Sequence, residues 1–267
     1  KNTPAYRAGI MAGDKIVKIG DKLSSDMSVD NAVDLIRGEP GTDVSITIVR
    51  DGLGTPKEIS MTRAKISIPT VDVEKHEAQG VFVIKLYSFS AQSPELFRKA
   101  LQEFVDSGYD RLVLDLRNNP GGYLEAAVSM ASWFLPQGEV VVKEIGKTDE
   151  DLVLHKSTGP GIFKNKIKMA ILVNKGSASA SEILAGALSE HGVATLLGEK
   201  TFGKGSVQEL MKLTPSTSIK ITVAKWYTPK GVSISDSGLT PTVLVDQNKD
   251  IENDIELKQA IDYVAKK

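Results

Sequence analysis

Val173-Asn174-Lys175-Gly176-Ser177-Ala178-Ser179-Ala180-Ser181-Glu182 decides how this chain is read. The apolar run Met169 to Val173 before it reads as a buried strand. The stretch Glu182 to Ser189 after it, with Ile183, Leu184, Ala185, Ala187 and Leu188, reads as a short helix of good helix formers. A small-residue, serine-bearing turn between a strand end and a helix start exposes a nucleophile at the positive end of a helix dipole. Three serines crowd the turn: Ser177, Ser179 and Ser181. Serine is also a preferred N-cap, so capping competes with catalysis for each of them.

Composition narrows the choice. The 267 residues suit one large or two modest domains, and 41% hydrophobic content supports a sizeable core. A net charge of −1 gives no reason to expect nucleic acid or an anionic membrane as partner. With no cysteine, disulfides, zinc–thiolate sites and cysteine nucleophiles are excluded. No segment approaches the roughly 20 apolar residues of a membrane helix, and no signal peptide is visible. The chain opens at Lys1-Asn2-Thr3-Pro4 without Met, as a fragment or a processed form would, with any leader upstream.

Outward from the serine turn, residues 1 to about 65 read as one compact unit. Ala5 to Ile10 is a short helix, and Asp14 to Asp21 a strand and turn. Ser28 caps a helix from Val29 to Arg37 whose apolar face holds Ala32, Val33 and Ile36. Gly38-Glu39-Pro40-Gly41 breaks it. Val44 to Arg50 alternates as a half-buried strand, Asp51-Gly52 marks a turn, and Lys57 to Arg63 is the return strand. From about residue 66 strands and helices alternate, which argues for α/β layering. Strands are predicted at Gly80–Leu86, Tyr109–Leu116, Glu139–Ile145, Val193–Leu197, Ser218–Thr222 and Lys225–Tyr227. Helices are predicted from Ser93-Pro94-Glu95 to about Ser107, over Leu124–Phe134, and over Ile251–Ala265 at the end. Gly146 to Lys166 reads as a mobile loop or hairpin.

A catalytic serine needs a base. His76 sits in a polar connector, His155 in the charged loop and His191 at a helix end. None is in a strand-end loop with an aspartate partner, so a Ser-His-Asp triad is not supported. Lysine is the alternative, and it works as a base only when neutral, which calls for burial among apolar or small groups. Lys204, in Gly203-Lys204-Gly205-Ser206-Val207-Gln208, is such a candidate, with Gln208 placed to orient it. The competing reading is a surface lysine in a glycine turn. Gly198 to Gly205 also nearly spells a phosphate-binding loop, but Gly205 stands where magnesium binding needs Ser or Thr.

Two stretches resemble known families. Pro4-Ala5-Tyr6-Arg7-Ala8-Gly9-Ile10-Met11-Ala12-Gly13-Asp14-Lys15-Ile16-Val17-Lys18-Ile19, with Ile36-Arg37-Gly38-Glu39-Pro40-Gly41-Thr42, resembles a bacterial PDZ domain. Such domains bind peptide C-termini by strand addition, and the family's glycine-rich carboxylate loop would precede residue 1. Gly176 to Glu182 and Thr201 to Gln208 resemble the core motifs of the carboxy-terminal processing (tail-specific) proteases. So do Leu114 to Gly122, Tyr227-Thr228-Pro229-Lys230-Gly231 and Gly238-Leu239-Thr240-Pro241.

This resemblance implies a PDZ domain over 1–65, its N-terminal part missing, then a ClpP/crotonase-like layered β/α protease core over 66–267 with a C-terminal helix. The fold class is thus α/β (α+β). It further implies Ser179 as nucleophile and Lys204, 25 residues on, as base, supported by Gln208. Ala180 and Gly121 or Gly122 would supply the oxyanion-hole amides. No metal or cofactor is required. The substrate would be a protein or peptide with a free C-terminus, cleaved in regulatory processing, gated by the PDZ unit, outside the cytoplasm and probed at Arg37. The enzyme would be a homodimer with no nucleic-acid partner. The rival classes are a non-catalytic peptide-binding scaffold and a crotonase-like acyl-transfer enzyme.

Overall fold

A computed structural model describes every residue except 1, 2, 12, 51, 53, 67, 68, 149, 150, 164–166, 215, 216, 236, 246–253 and 267. The chain divides into two units, Lys1–Ile68 and Pro69–Lys267.

In the first unit, α1 (Pro4–Arg7) starts with Pro4, and the Thr3 hydroxyl caps it by accepting the Tyr6 N–H. There follow β1 (Lys15–Ile19), β2 (Lys22–Leu23), α2 (Val29–Ile36), β3 (Asp43–Val49) and β4 (Lys57–Thr62). The strands form an antiparallel sheet in the order β2-β1-β3-β4. Ser28 caps α2 as its position predicts. Alternation along β3 sends Val44, Ile46 and Ile48 inward to a small core with Ile19 and Ile59. Arg50 closes the unit by a forked pair with Asp14. The end of α2 is tied down by Arg63, whose guanidinium donates to the carbonyls of Leu35, Ile36 and Asp43. Arg37 is exposed. Asp51, in the turn expected at 51–52, lies outside the described residues.

The second unit runs β5 (Val71–His76), β6 (Val81–Leu86), α3 (Ser93–Asp106), β7 (Arg111–Asp115), α4 (Leu124–Ala131), β8 (Val140–Ile145), β9 (Leu152–Lys156), β10 (Lys168–Val173), α5 (Ala180–Glu190), β11 (Ala194–Gly198), β12 (Ser206–Lys212), β13 (Ser218–Tyr227), β14 (Val243–Leu244) and α6 (Ile255–Ala265). Its main sheet has the order β14-β11-β10-β7-β6-β5, parallel throughout except for β5 at the edge. Parallel strands covered on both faces read as unbroken apolar runs, and β6 and β10 do. Phe82, Ile84, Leu112, Leu114 and Ile171 face α3, α4 and α5, joined by Phe97, Phe104, Phe134 and Phe163. Each fully buried Phe contributes roughly 1.5–3 kcal/mol. Val81, Val83, Val113, Ala170 and Leu172 face Leu257, Ala260, Ile261 and Val264 of α6. A second, antiparallel sheet has the order β12-β13-β8-β9.

Several boundaries depart from the sequence reading. The connector holding His76 is the edge strand β5, whose inward residues Val71 and Val73 are too few to signal it. Ser218 to Tyr227 is one strand rather than two, paired along its length with β12, for which the sequence has no alternation. The stretch after Gly146 contains β9, while 149, 150 and 164–166 lie outside the described residues. Ile251, the expected start of the last helix, also lies outside them; α6 is described from Ile255 with Asp254 as its cap.

Candidate active site

β7 and β10 are parallel neighbours, so the loops leaving their C-terminal ends lie side by side. Five hydrogen bonds join them. Asn118 and Asn174 exchange two, Asn118 N–H to the Asn174 side-chain oxygen and Asn174 Nδ2 to Asn118 Oδ1. Ser177 Oγ donates to the Leu116 carbonyl, and Ser181 Oγ and Ala178 N–H both donate to the Asn119 carbonyl. The hydroxyls of Ser177 and Ser181, both fully buried, are therefore spent on the scaffold.

Ser179 differs from both. It is partly exposed and has φ 54° and ψ −117°, a region non-glycine residues avoid. Such strain costs on the order of 1–3 kcal/mol and concentrates where function needs it. The turn holds Ser179 at the end of α5, with its carbonyl accepting the N–H groups of Glu182 and Ile183. The Ala180 N–H, first in the helix, has no acceptor among the described residues. Gly121 packs directly on this turn: a Cβ there would lie 2.6 Å from the Ala178 carbonyl oxygen and 2.8 Å from Ser179 Cβ.

The two glycines of the facing loop have different roles. The Gly121 N–H is already donated to Asn119 Oδ1, at 2.9 Å, so it is not free to meet a ligand. Phe89 bonds on either side of Gly122, giving its N–H to the Gly121 carbonyl and accepting the Tyr123 N–H. The Gly122 N–H is directed away from Phe89 and has no acceptor among the described residues. Of the two amides proposed for an oxyanion hole, the structure leaves Gly122 available and Gly121 engaged.

Glu182 is the residue that sequence reading passed over. It is fully buried. Its carboxylate accepts the Ser179 N–H at 2.9 Å, the Gly203 N–H at 2.7 Å, the Lys204 N–H at 3.0 Å and the Thr201 hydroxyl. A buried carboxylate is tolerable only when hydrogen-bonded in this way. One side chain thus binds the serine turn to the lysine loop. The Ser-x-x-Glu spacing of a capping box was the signal that could have found it.

Lys204 is positioned by its backbone but not by its side chain. The lysine loop is fixed by Glu182, by Phe202 N–H on the Ser177 carbonyl and by paired bonds between Thr201 and Leu239. Gly205 approaches Ser235 so closely that a Cβ would stand 2.3 Å from its nitrogen, which is why a hydroxyl residue does not follow the lysine. The Lys204 side chain itself is exposed, contrary to the burial expected of a neutral base, and no hydrogen bond joins it to the Ser179 hydroxyl. Gln208 is also exposed. Strand alternation along β12 turns Val207 toward the core and Gln208 outward, the extra residue at the register shift there being Val223 of β13. Both side chains stay exposed while Val207 and Trp226 of the β12–β13 hairpin pack on the core.

The histidines find other partners. His155 pairs with Glu144 at 2.9 Å, His191 with the Val140 carbonyl at 2.8 Å, and His76 with Glu74 at 3.6 Å. No group of three or more ligating side chains that could hold a metal ion is present among the described residues.

A pocket of about 250 Å³ adjoins the glycine loop, lined by Ser90, Ala91, Pro94, Tyr123, Glu125 and Ala126. The serine turn, the glycine loop and the lysine loop fall within residues 80–245, which match the model of peptidase family S41. The chain belongs to peptidase family S41. Residues 1–50 of this S41 chain match a PDZ domain model. It is 38% identical over 251 residues to a carboxy-terminal-processing protease of Bartonella bacilliformis. Over 250 residues it is 39% identical to a carboxyl-terminal-processing protease of Synechocystis. Each match covers 92% of this chain and 57% of the relative, so the S41 chain spans little more than half their length. Among solved structures it resembles a photosystem II D1 C-terminal processing protease, with TM-score 0.76 and 30% identity, over 93% of this chain and 68% of that one.

Proposed function

We propose that this S41 chain is a serine endopeptidase working by a Ser179–Lys204 dyad. The observation that carries the reading is the Glu182 carboxylate, which holds the N–H groups of Ser179, Gly203 and Lys204 on one anchor. A scaffold that bound peptides without cleaving them has no need to fix a strained serine beside a lysine loop. Because its backbone is anchored, Lys204 reaches Ser179 by side-chain torsions, and such contacts are often open without substrate.

In the reaction, neutral Lys204 Nζ takes the Ser179 hydroxyl proton as Oγ bonds the scissile carbonyl carbon. The N–H groups of Ala180 and Gly122 stabilise the oxyanion, where one such donor is worth ~10²–10³ in rate. Lys204 then gives its proton to the departing amine as the C–N bond breaks. Water, deprotonated by the same lysine, releases the acyl group. Gln208 orients the lysine once it has turned inward. The pocket beside Tyr123 takes a small or medium apolar side chain near the scissile bond.

The PDZ match and the relatives' names support a substrate recognised by its C-terminal tail. The proposal further takes the PDZ unit to gate cleavage in regulatory processing, by a homodimer outside the cytoplasm. The test is cleavage of a loosely folded protein by this chain, read by mass spectrometry, against Ser179→Ala and Lys204→Ala. Cleavage abolished in both variants supports the dyad. Cleavage that survives Ser179→Ala sinks it. Tail dependence unchanged by Arg37→Ala removes Arg37 from the gate.

A further inference from the structure

Arg117 stands at the root of the loop that carries Gly122. Its guanidinium spends every N–H on carboxylates. Nε donates to Asp115 at 3.0 Å, and Nη2 to Asp115 and to Asp254, each at 2.7 Å. Nη1 donates to Asp254 at 2.7 Å and to Glu256 at 2.8 Å. The Asp115 carboxylate also accepts the Arg117 N–H, which fixes where the chain turns out of β7. Asp254 and Glu256 belong to the start of α6, 137 and 139 residues away, and Asp254 caps that helix through the Leu257 N–H.

We infer that Asp254 and Glu256 are positioning residues for catalysis, making the C-terminal helix a clamp that sets the oxyanion loop through Arg117. The helix does not need the clamp to dock. Leu257, Ala260, Ile261 and Val264 already bury its other face against the main sheet. Three carboxylates on one guanidinium exceed what charge balance asks, whereas a forked, planar group held from two sides fixes orientation. Downstream of Arg117, the loop has little freedom left: Asn118 is locked to Asn174, Asn119 Nδ2 to the Leu86 carbonyl, and Gly121 to Asn119. A tilt at Arg117 is therefore carried to the Gly122 N–H.

The inference rests on the endopeptidase reading, so the test has one arm that does not. In the full chain, Asp254→Asn/Glu256→Gln is compared with wild type for peptide cleavage and for hydrogen–deuterium exchange of residues 116–123. The clamp predicts kcat lower by about tenfold or more with KM within about twofold, since only transition-state contacts are disturbed. It also predicts faster exchange over 118–122, with the helical circular dichroism kept. Leu257→Ala serves as control: it loosens the helix but keeps its carboxylates, and should lower the melting temperature without the selective loss in kcat. Unchanged exchange in the double variant overturns the clamp, whether or not any peptide is cleaved. So does a kcat that falls only in step with melting. Absence of Ser179-dependent cleavage by wild type, with exchange altered as expected, overturns the endopeptidase reading and leaves the clamp as a device that sets the loop.

Discussion

The four donors on Glu182 come from both halves of the site: one N–H from the serine turn, two N–H groups and a hydroxyl from the lysine loop. An amide in place of that carboxylate would turn an NH2 group toward N–H donors, leaving at least one of them unpaired in a buried place. Glu182→Gln should therefore cost roughly 1–3 kcal/mol in stability. It should also lower kcat/KM by about 10²-fold, because both proposed catalytic groups lose their common anchor. A variant that melts lower but cleaves as wild type would reduce Glu182 to a structural role. Gly122 is under a different constraint. A Cβ at that position would stand 2.2 Å from the Phe89 carbonyl oxygen, and φ is +145°. Gly122→Ala must displace the loop, and we expect cleavage to fall by about 10²-fold or more, as for a lost oxyanion donor. Kinetics near wild type would exclude Gly122 as that donor. These residues differ in how openly the sequence declares them. Ser179, Lys204 and the glycine pair lie in short motifs of small residues. Glu182 and Arg117 act through hydrogen bonds to partners up to 22 and 139 residues away, which no local pattern encodes.

In the second unit, the buried strands were legible and the edge strands were not, whereas the edge strand β4 of the first unit was. β6, β7 and β10 read as apolar runs because both of their faces are covered. β5 and β12 lie at sheet edges, where polar side chains and pairing partners decide the structure more than hydrophobic periodicity. The exposure of Gln208 has the same origin, since it follows from the alternation of the edge strand β12. α6 was legible as a helix but not as a neighbour of the glycine loop. Its cap yields a pH prediction. Burial opposes the charge on Asp254, but hydrogen bonds from Arg117 and the Leu257 N–H outweigh it and hold the carboxyl below its ordinary value of 3.8. A depressed folded-state pKa means the contribution is complete above about pH 4 and is lost as pH falls through the lower, folded value. Acid melting of wild type below about pH 4 should therefore be steeper than that of Asp254→Asn, which keeps the cap but cannot titrate. Parallel acid curves for the two would show that Asp254 does not stabilise α6 by its charge.

At the scale of the molecule, the two units have separate cores of very different size. Ile19, Val44, Ile46, Ile48 and Ile59 are the buried apolar residues among those described in the first, whereas the second packs both faces of a six-stranded sheet. Small cores leave little net stability, so the first unit should melt first. Trp133 and Trp226 are the chain's two tryptophans, and both fall in the second unit. Tryptophan fluorescence therefore follows that unit alone, while far-ultraviolet circular dichroism follows both. Ile48 has no exposed surface, and Ile48→Ala should cost about 2–5 kcal/mol, enough to unfold a marginal unit. We expect this variant to lose the lower-temperature part of the circular dichroism transition while its fluorescence melt stays in place. If fluorescence shifts with circular dichroism, the units melt as one cooperative body, and a disturbance in the PDZ unit reaches the catalytic unit through stability. If it does not, any effect of Ile48→Ala on cleavage tests the proposed gate, since the second unit remains folded throughout.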